Sequence, residues 1–135
     1  MRGSALSANN VSLVPSDTLT VCALGCAGAL VARTDYCVLP EDVVAKLPSV
    51  GGTKNPRVDE VSDLSPDLVI ANQEENSRGD LEELAARGIP TNPTVCVSIP
   101  QIIVAAEAYE RGARRAEAAG ITPAPSSAAL VMGRL

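Results

Sequence analysis

The sequence contains no histidine, phenylalanine or tryptophan, and only two tyrosines among its 135 residues. Without histidine, the chain has no imidazole base for a catalytic triad and no imidazole metal ligand. With so few aromatic rings and a formal net charge of −5, it also lacks the stacking surfaces and basic grooves that bind nucleic acid. The four cysteines include no C-x-x-C pair. The sequence therefore predicts neither a metal site nor a DNA or RNA partner.

Strand-like and helix-like segments alternate along most of the chain, separated by proline, glycine, aspartate or asparagine. This order is typical of a parallel sheet covered by helices. The sequence predicts an α/β fold with about four to five parallel strands and helices on both faces. The strand candidates are segments 11–14, 30–34, 50–53, 67–71 and 94–97.

The C-terminal part differs from the rest. Apolar residues at helical spacing after Pro100 predict an amphipathic helix of about 20 residues that ends at Gly120. A tail rich in proline, serine and alanine follows and opens an element for which the sequence suggests no partner. We expect one α/β unit over residues 1–99 and a helix with its tail over residues 100–135.

The loops that follow the predicted strands form the candidate binding surface, because ligands of open α/β sheets bind outside the carboxyl ends of the strands. One of these loops, GGTKNP at residues 51–56, combines two glycines, a lysine and an amide. It can cradle an anion, although it lacks the full pattern of a phosphate-binding P-loop. The alternative is a plain Gly-Gly turn with a solvated Lys54.

Acidic residues are concentrated in the middle of the chain. Residues 59–83 contain nine acidic residues and one basic residue. Such a band can attract a basic partner in a salt-dependent way. It can equally be a well-solvated helix face, and the sequence leaves both interpretations open.

Six strings, in this order, carry a family resemblance: SLVPSDT, CALG, RTDYC, LPSVGGTKNPRVDEV, LSPDLVIANQEEN and DLEELAARGIP. Over roughly residues 10–92 the chain resembles the N-terminal lobe of the vitamin B12/iron-siderophore class of ABC-transporter substrate-binding proteins. The resemblance implies a fold of two α/β lobes joined by a long helix, with residues 100–120 as a stub of that helix. It also implies a binding protein without enzymatic activity or cofactor, which carries cobalamin, haem or a ferric chelate to a membrane permease.

The resemblance further implies which residues bind. The ligand cleft would be surrounded by Pro15, Ser16, Asp35, Tyr36, Lys54 and Asn55. A carboxylate of the acidic band, Glu74 or Glu75, would dock against permease arginines. Two positions depart from the family pattern: Leu19 replaces a usual glutamate, and Leu39 replaces a frequent histidine. Since the resemblance covers one lobe of two, we expect weak ligand binding.

Two other functions stay open. One is a small α/β enzyme that uses Lys54 and Asp35 on an anionic small molecule, although no activated nucleophile stands beside a base. The other is an interaction domain whose helix at residues 100–120 pairs with another chain, including a second copy. The resemblance implies an extracytoplasmic location, whereas the first residues, MRGSALSANN, show no apolar core of a signal peptide, so a cytoplasmic location also stays open.

Overall fold

Four parallel strands form the central sheet of the computed structural model, which describes residues 8–72, 74–94 and 96–131. The strands lie in the order β2-β1-β3-β4. They are β1 (Asn10–Ser12), β2 (Leu30–Ala32), β3 (Leu68–Asn72) and β4 (Thr91–Thr94). The helices are α1 (Pro15–Ala23), α2 (Glu41–Val44), α3 (Val58–Asp63), α4 (Arg78–Ala86) and α5 (Ile99–Ala118), and a 3₁₀ turn covers Ala27–Ala29.

Local sequence signals explain where the helices begin and end. Helix α1 begins at Pro15, whose fixed φ and missing N–H suit a first helical position. Helix α4 is capped by Ser77, whose Oγ accepts a hydrogen bond from the Asp80 N–H at 3.1 Å. Beyond α4 and α5, Gly88 and Gly120 adopt positive φ values of 71° and 77°, as expected for glycines that end helices.

The helices cover both faces of the sheet. Strand side chains alternate between faces, and Val11 of β1 packs in one core with Val61 of α3 and Leu84 of α4. The next residue, Ser12, points to the opposite face, where Thr18 of α1 donates a hydrogen bond from Oγ1 to Ser12 Oγ at 2.9 Å. The predicted parallel sheet with helices on both faces is confirmed.

Two of the predicted strands were wrong in detail. Segment 50–53 forms no strand but only an isolated bridge of Gly51 with Pro56, and Ser49, just before the segment, bridges to Arg33. The two glycines of the segment turn the chain too sharply to continue a strand. The strand predicted at 94–97 begins instead at Thr91. Its Pro93, which the sequence pattern marked as punctuation, is accommodated because a strand near the sheet edge can spare one N–H.

The C-terminal tail has a partner within the chain, contrary to expectation. Segment 126–131 lies alongside β4 and its extension: the Ala129 N–H donates to the Pro93 carbonyl at 3.2 Å, and the Val131 N–H donates to the Cys96 carbonyl at 2.8 Å. The pairing is parallel. Main-chain bonds of this kind depend little on side chains, which explains why the pattern SSAALV gave no strand signal.

Helix α5 packs closely against α4. At Gly112 a Cβ atom would lie 2.4 Å from the Glu82 carbonyl oxygen. Ion pairs flank this contact: Arg111 Nε lies 3.0 Å from a Glu82 carboxylate oxygen, and Arg115 Nη2 lies 2.7 Å from one of Glu83. Part of the charge of the acidic band is therefore neutralised by arginines of the same chain.

The division of the chain after residue 99 and an association of copies through residues 100–120 both stay predictions. None of the helices in the described ranges combines the length and the apolar character needed to cross a membrane.

We predict that Gly112→Ala lowers the free energy of unfolding by about 2 kcal/mol, because the added methyl overpacks the contact between α4 and α5. The matched variant is Gly79→Ala in α4, where the nearest atom to an added Cβ is Ser77 Oγ at 3.8 Å. There alanine should raise the free energy of unfolding by up to about 1 kcal/mol, since it favours the helix. Urea denaturation of both variants tests this, and equal effects would contradict the packing argument.

A second prediction concerns acid stability. Hydrogen bonds from Arg111 and Arg115 lower the pKa of Glu82 and of Glu83, respectively. A carboxyl whose pKa is lower in the folded state stabilises the fold above its unfolded pKa, and this contribution is lost as the pH falls through the folded pKa. The urea midpoint should therefore fall between about pH 6 and about pH 3.

The double variant Glu82→Gln, Glu83→Gln should show a smaller fall of the urea midpoint than the unaltered protein. Glu107→Gln, at an exposed position of α5, should behave like the unaltered protein. An acid response that is the same in all three proteins would rule out the ion pairs as its source.

Candidate functional site

The carboxyl ends of the strands form the candidate site. From β1 the chain moves to β2 on one side and then to β3 on the other, so that the winding direction reverses at β1. Crevices beside such a reversal are the usual ligand positions in open α/β sheets. The loops after β1, β2 and β3 and the glycine loop (residues 51–56) meet at this edge of the sheet.

An apolar groove opens at this edge, with a volume of about 180 Å³. We call it the edge groove; it is lined by Pro15, Ser16, Leu19, Tyr36, Val38 and Leu39. Three of the six predicted cleft residues, Pro15, Ser16 and Tyr36, thus lie together. Tyr36 and Val38 are 66% and 62% exposed, and large exposed apolar side chains grouped in this way mark an interaction site.

The two glycines of the glycine loop are required by its geometry. Gly51 has a φ of 103°, which side chains disfavour. At Gly52 a Cβ atom would lie 2.3 Å from Asn55 Oδ1 and 3.7 Å from Tyr36 Cε2. The absence of a side chain at Gly52 therefore leaves room for the Asn55 amide close to the Tyr36 ring, which lines the edge groove.

The two charged residues predicted for the cleft do not line the groove. The Lys54 ammonium donates a hydrogen bond to the backbone carbonyl of Glu74. The Asp35 carboxylate accepts a hydrogen bond from the Ser49 hydroxyl. Lys54 is exposed and bridges to a neighbouring loop, and anion binding by the glycine loop stays a prediction.

The buried amide of Asn76 joins three loops of this edge. Its Nδ2 donates to the Leu13 carbonyl at 3.2 Å and to the Thr53 carbonyl at 2.8 Å. Its Oδ1 accepts from the Asn72 N–H at 2.7 Å. Asn76 is only 3% exposed, so these bonds are shielded from water. Sequence reasoning missed this residue, and its one signal was an asparagine closing a polar loop after a buried strand.

Asp17 is an ionisable group of this edge that is not among the cleft residues predicted from the sequence. It is half-buried in the first turn of α1, and Thr94 Oγ1 donates a hydrogen bond to its carboxylate at 3.1 Å. Burial raises the pKa of Asp17, and the hydrogen bond from Thr94 partly offsets the rise. Within the described ranges, no three side chains of cysteine, aspartate and glutamate come together to hold a metal ion.

The predicted docking residues lie on the loop after β3. Glu74 is exposed and Glu75 is half-exposed. The Glu74 N–H donates to Asn72 Oδ1 at 2.8 Å. The backbone of Glu74 is therefore held at its N–H by Asn72 and at its carbonyl by Lys54, while its carboxylate is left at the surface.

We predict that Asn76→Ala lowers the free energy of unfolding by about 3 kcal/mol, because it leaves the carbonyls of Leu13 and Thr53 and the Asn72 N–H buried without their partner. Asn55→Ala removes the same amide from an exposed position and should cost less than about 1 kcal/mol. Urea unfolding of the two variants measures the difference. Equal losses would mean that the Asn76 amide does not organise the edge.

Comparison with known proteins places this geometry in a family. The family model described as periplasmic binding protein matches residues 11–114. The vitamin B12-binding protein of Yersinia pestis (strain Pestoides F) is 38% identical over 80 residues, which are 59% of this chain and 28% of that protein. The chain thus spans less than a third of the length of this relative.

Solved structures of binding proteins are similar to this chain. The periplasmic vitamin B12-binding protein of Vibrio cholerae has a TM-score of 0.60 and 26% identity, covering 82% of this chain and 46% of that one. A periplasmic haem-binding protein from Pseudomonas aeruginosa has a TM-score of 0.60 and 25% identity, covering 82% and 41%. These relatives are named as binding proteins, in agreement with the expectation that the chain is not an enzyme. Because the family model spans most of the sequence, the chain belongs to the periplasmic binding protein family.

Proposed function

We propose that this chain is a substrate-binding lobe of an extracytoplasmic receptor that supplies an ABC permease with cobalamin or with haem or a similar iron chelate. The observation that carries the proposal is the edge groove, an exposed apolar surface at the carboxyl ends of the strands. Relatives named for vitamin B12 and haem support this ligand class. Both ligands are large, and both present broad apolar faces together with anionic groups.

The proposed ligand contacts divide by chemistry. Pro15, Ser16 and Tyr36 line the apolar groove, and Asn55 lies beside Gly52, as Tyr36 does. Lys54 and Asp35 lie on the same edge as its charged and polar groups, where a lysine suits the carboxylates of haem or the phosphodiester of cobalamin. Leu19 and Leu39, which depart from the family pattern, make the groove more apolar.

One lobe encloses only part of such a ligand. Sites for ligands of ordinary size have volumes of about 300–1,000 Å³ and cover most of the ligand surface, whereas the edge groove has about 180 Å³. We therefore propose weak binding by these 135 residues, with full affinity reached when a second surface covers the ligand. In this proposal residues 1–99 form the binding lobe, and residues 100–135 begin the connection to that surface.

The proposed contact with the permease is the carboxylate pair Glu74 and Glu75. Both belong to the acidic band, and unlike Glu82 and Glu83 they lie at the ligand edge of the sheet, away from the arginines of α5. Opposite charges at such a rim guide partners together and set their orientation. A permease surface with arginines fits this edge.

We predict that cyanocobalamin or haemin binds the chain with a dissociation constant above about 1 μM, because the groove covers a small share of either molecule. Calorimetric and absorbance titrations measure this. Leu19→Ser, in the groove, should weaken binding about tenfold.

Leu24→Ser is the matched control, since Leu24 is an exposed leucine just beyond the end of α1 and outside the groove lining. It should leave the dissociation constant unchanged. Absence of binding of both molecules at millimolar concentration would overturn the proposed function. Sub-micromolar binding by the monomer would overturn the argument that one lobe is insufficient.

A further inference from the structure

Two side-chain bonds connect the glycine loop to the acidic loop, which we define as residues 74–76. The Lys54 ammonium donates to the Glu74 carbonyl. In the opposite direction, Asn76 Nδ2 donates to the Thr53 carbonyl at 2.8 Å. The loop predicted to meet the ligand and the loop predicted to meet the permease are therefore joined through Thr53 and Lys54 on one side and through Glu74 and Asn76 on the other.

The two bonds differ in how easily they are exchanged. Asn76 is buried and holds three backbone groups, so breaking its bonds would leave buried polar atoms without partners. Lys54 is exposed, and its partner is a neutral carbonyl. An anion is a stronger partner for an ammonium group than a neutral carbonyl is. An anionic group arriving at this edge therefore competes for Lys54 without disturbing Asn76.

The position of Glu74 depends on this competition. Asn72 Oδ1 holds the Glu74 N–H, and Lys54 holds the Glu74 carbonyl. Removing the second contact leaves the Glu74 backbone held at its N–H by Asn72, while its carbonyl loses the Lys54 donor. Asn76 stays anchored two residues later, so the change is confined to the residues that carry the exposed carboxylates.

We propose that Lys54 is a positioning residue for Glu74, and that an anionic group bound at the glycine loop, beside the edge groove, draws Lys54 away and loosens the acidic loop. The ligand state of the groove is then passed to the carboxylates proposed to dock on the permease. The identity of ligand and permease rests on the proposed function, whereas the competition for Lys54 depends only on the contacts of these two loops.

The chain provides its own matched control, because its lysines are Lys46 and Lys54 and both are exposed. Amide hydrogen exchange followed by nuclear magnetic resonance reports on Glu74 and Asn76 individually. Lys54→Met should accelerate exchange at the Glu74 N–H about fivefold, as expected for the loss of one hydrogen bond. Lys46→Met should leave it unchanged, and Lys54→Arg, which keeps a cationic donor, should restore most of the protection.

A second arm uses inorganic pyrophosphate as the anion, compared with sodium chloride at equal ionic strength. Pyrophosphate should accelerate exchange at Glu74 in the unaltered protein and in Lys46→Met. It should have no further effect in Lys54→Met, where exchange is already fast. Exchange at Asn76 should change less than exchange at Glu74 in every case.

Two results would overturn the proposal. One is Glu74 exchange in Lys54→Met that matches the unaltered protein, and the other is an equal pyrophosphate effect with and without Lys54. Urea unfolding of each variant shows whether the fold is retained, which we expect because Lys54 is exposed. A failure of cyanocobalamin and haemin to bind would instead count against the proposed function alone. The hydrogen-exchange experiments with the lysine variants and with pyrophosphate contain neither molecule.

Discussion

A single buried amide determines how the loops at the carboxyl ends of the strands meet. Asn76 contacts the chain just after β1 through the Leu13 carbonyl, the glycine loop through the Thr53 carbonyl, and the end of β3 through the Asn72 N–H. A backbone group withdrawn from water needs a hydrogen-bond partner within the protein. One side chain supplies all three bonds, and the edge groove and the acidic loop take their positions relative to it.

The acidic band separates into two parts with different roles. Glu82 and Glu83 are paired with arginines of α5, so their charge fastens two helices together. Glu74 and Glu75 lie instead on the acidic loop after β3, at the carboxyl ends of the strands. The excess of negative charge seen in the sequence therefore neither forms one uniform solvated face nor serves one partner. The charge of Glu82 and Glu83 holds α4 and α5 together, whereas the carboxylates of the acidic loop are left to contact other molecules.

The sequence predicted the regular parts of the fold well, because buried strands such as β3 and capped helices such as α4 leave periodic and positional signals. Through the family resemblance it also predicted Pro15, Ser16 and Tyr36 for one cleft, and these three residues line the edge groove together. It missed the strand-like pairing of segment 126–131 and the role of Asn76. Both depend on backbone partners distant in sequence, and neither polar residues in a loop nor the string SSAALV reveals such partners.

The carboxyl-end edge of the sheet combines contacts that are buried or uncharged with one exposed hydrogen bond that another partner can replace. Gly52, with Asn55 and Tyr36 beside it, involves no charged group, and the Asn76 side chain is buried. The hydrogen bond from Lys54 to Glu74 is exposed, and it joins a charged ammonium group to a neutral carbonyl. Local opening begins where bonds are exposed and few apolar contacts are lost. The acidic loop can therefore loosen while the groove keeps its shape, because the residues that shape the groove do not depend on Lys54.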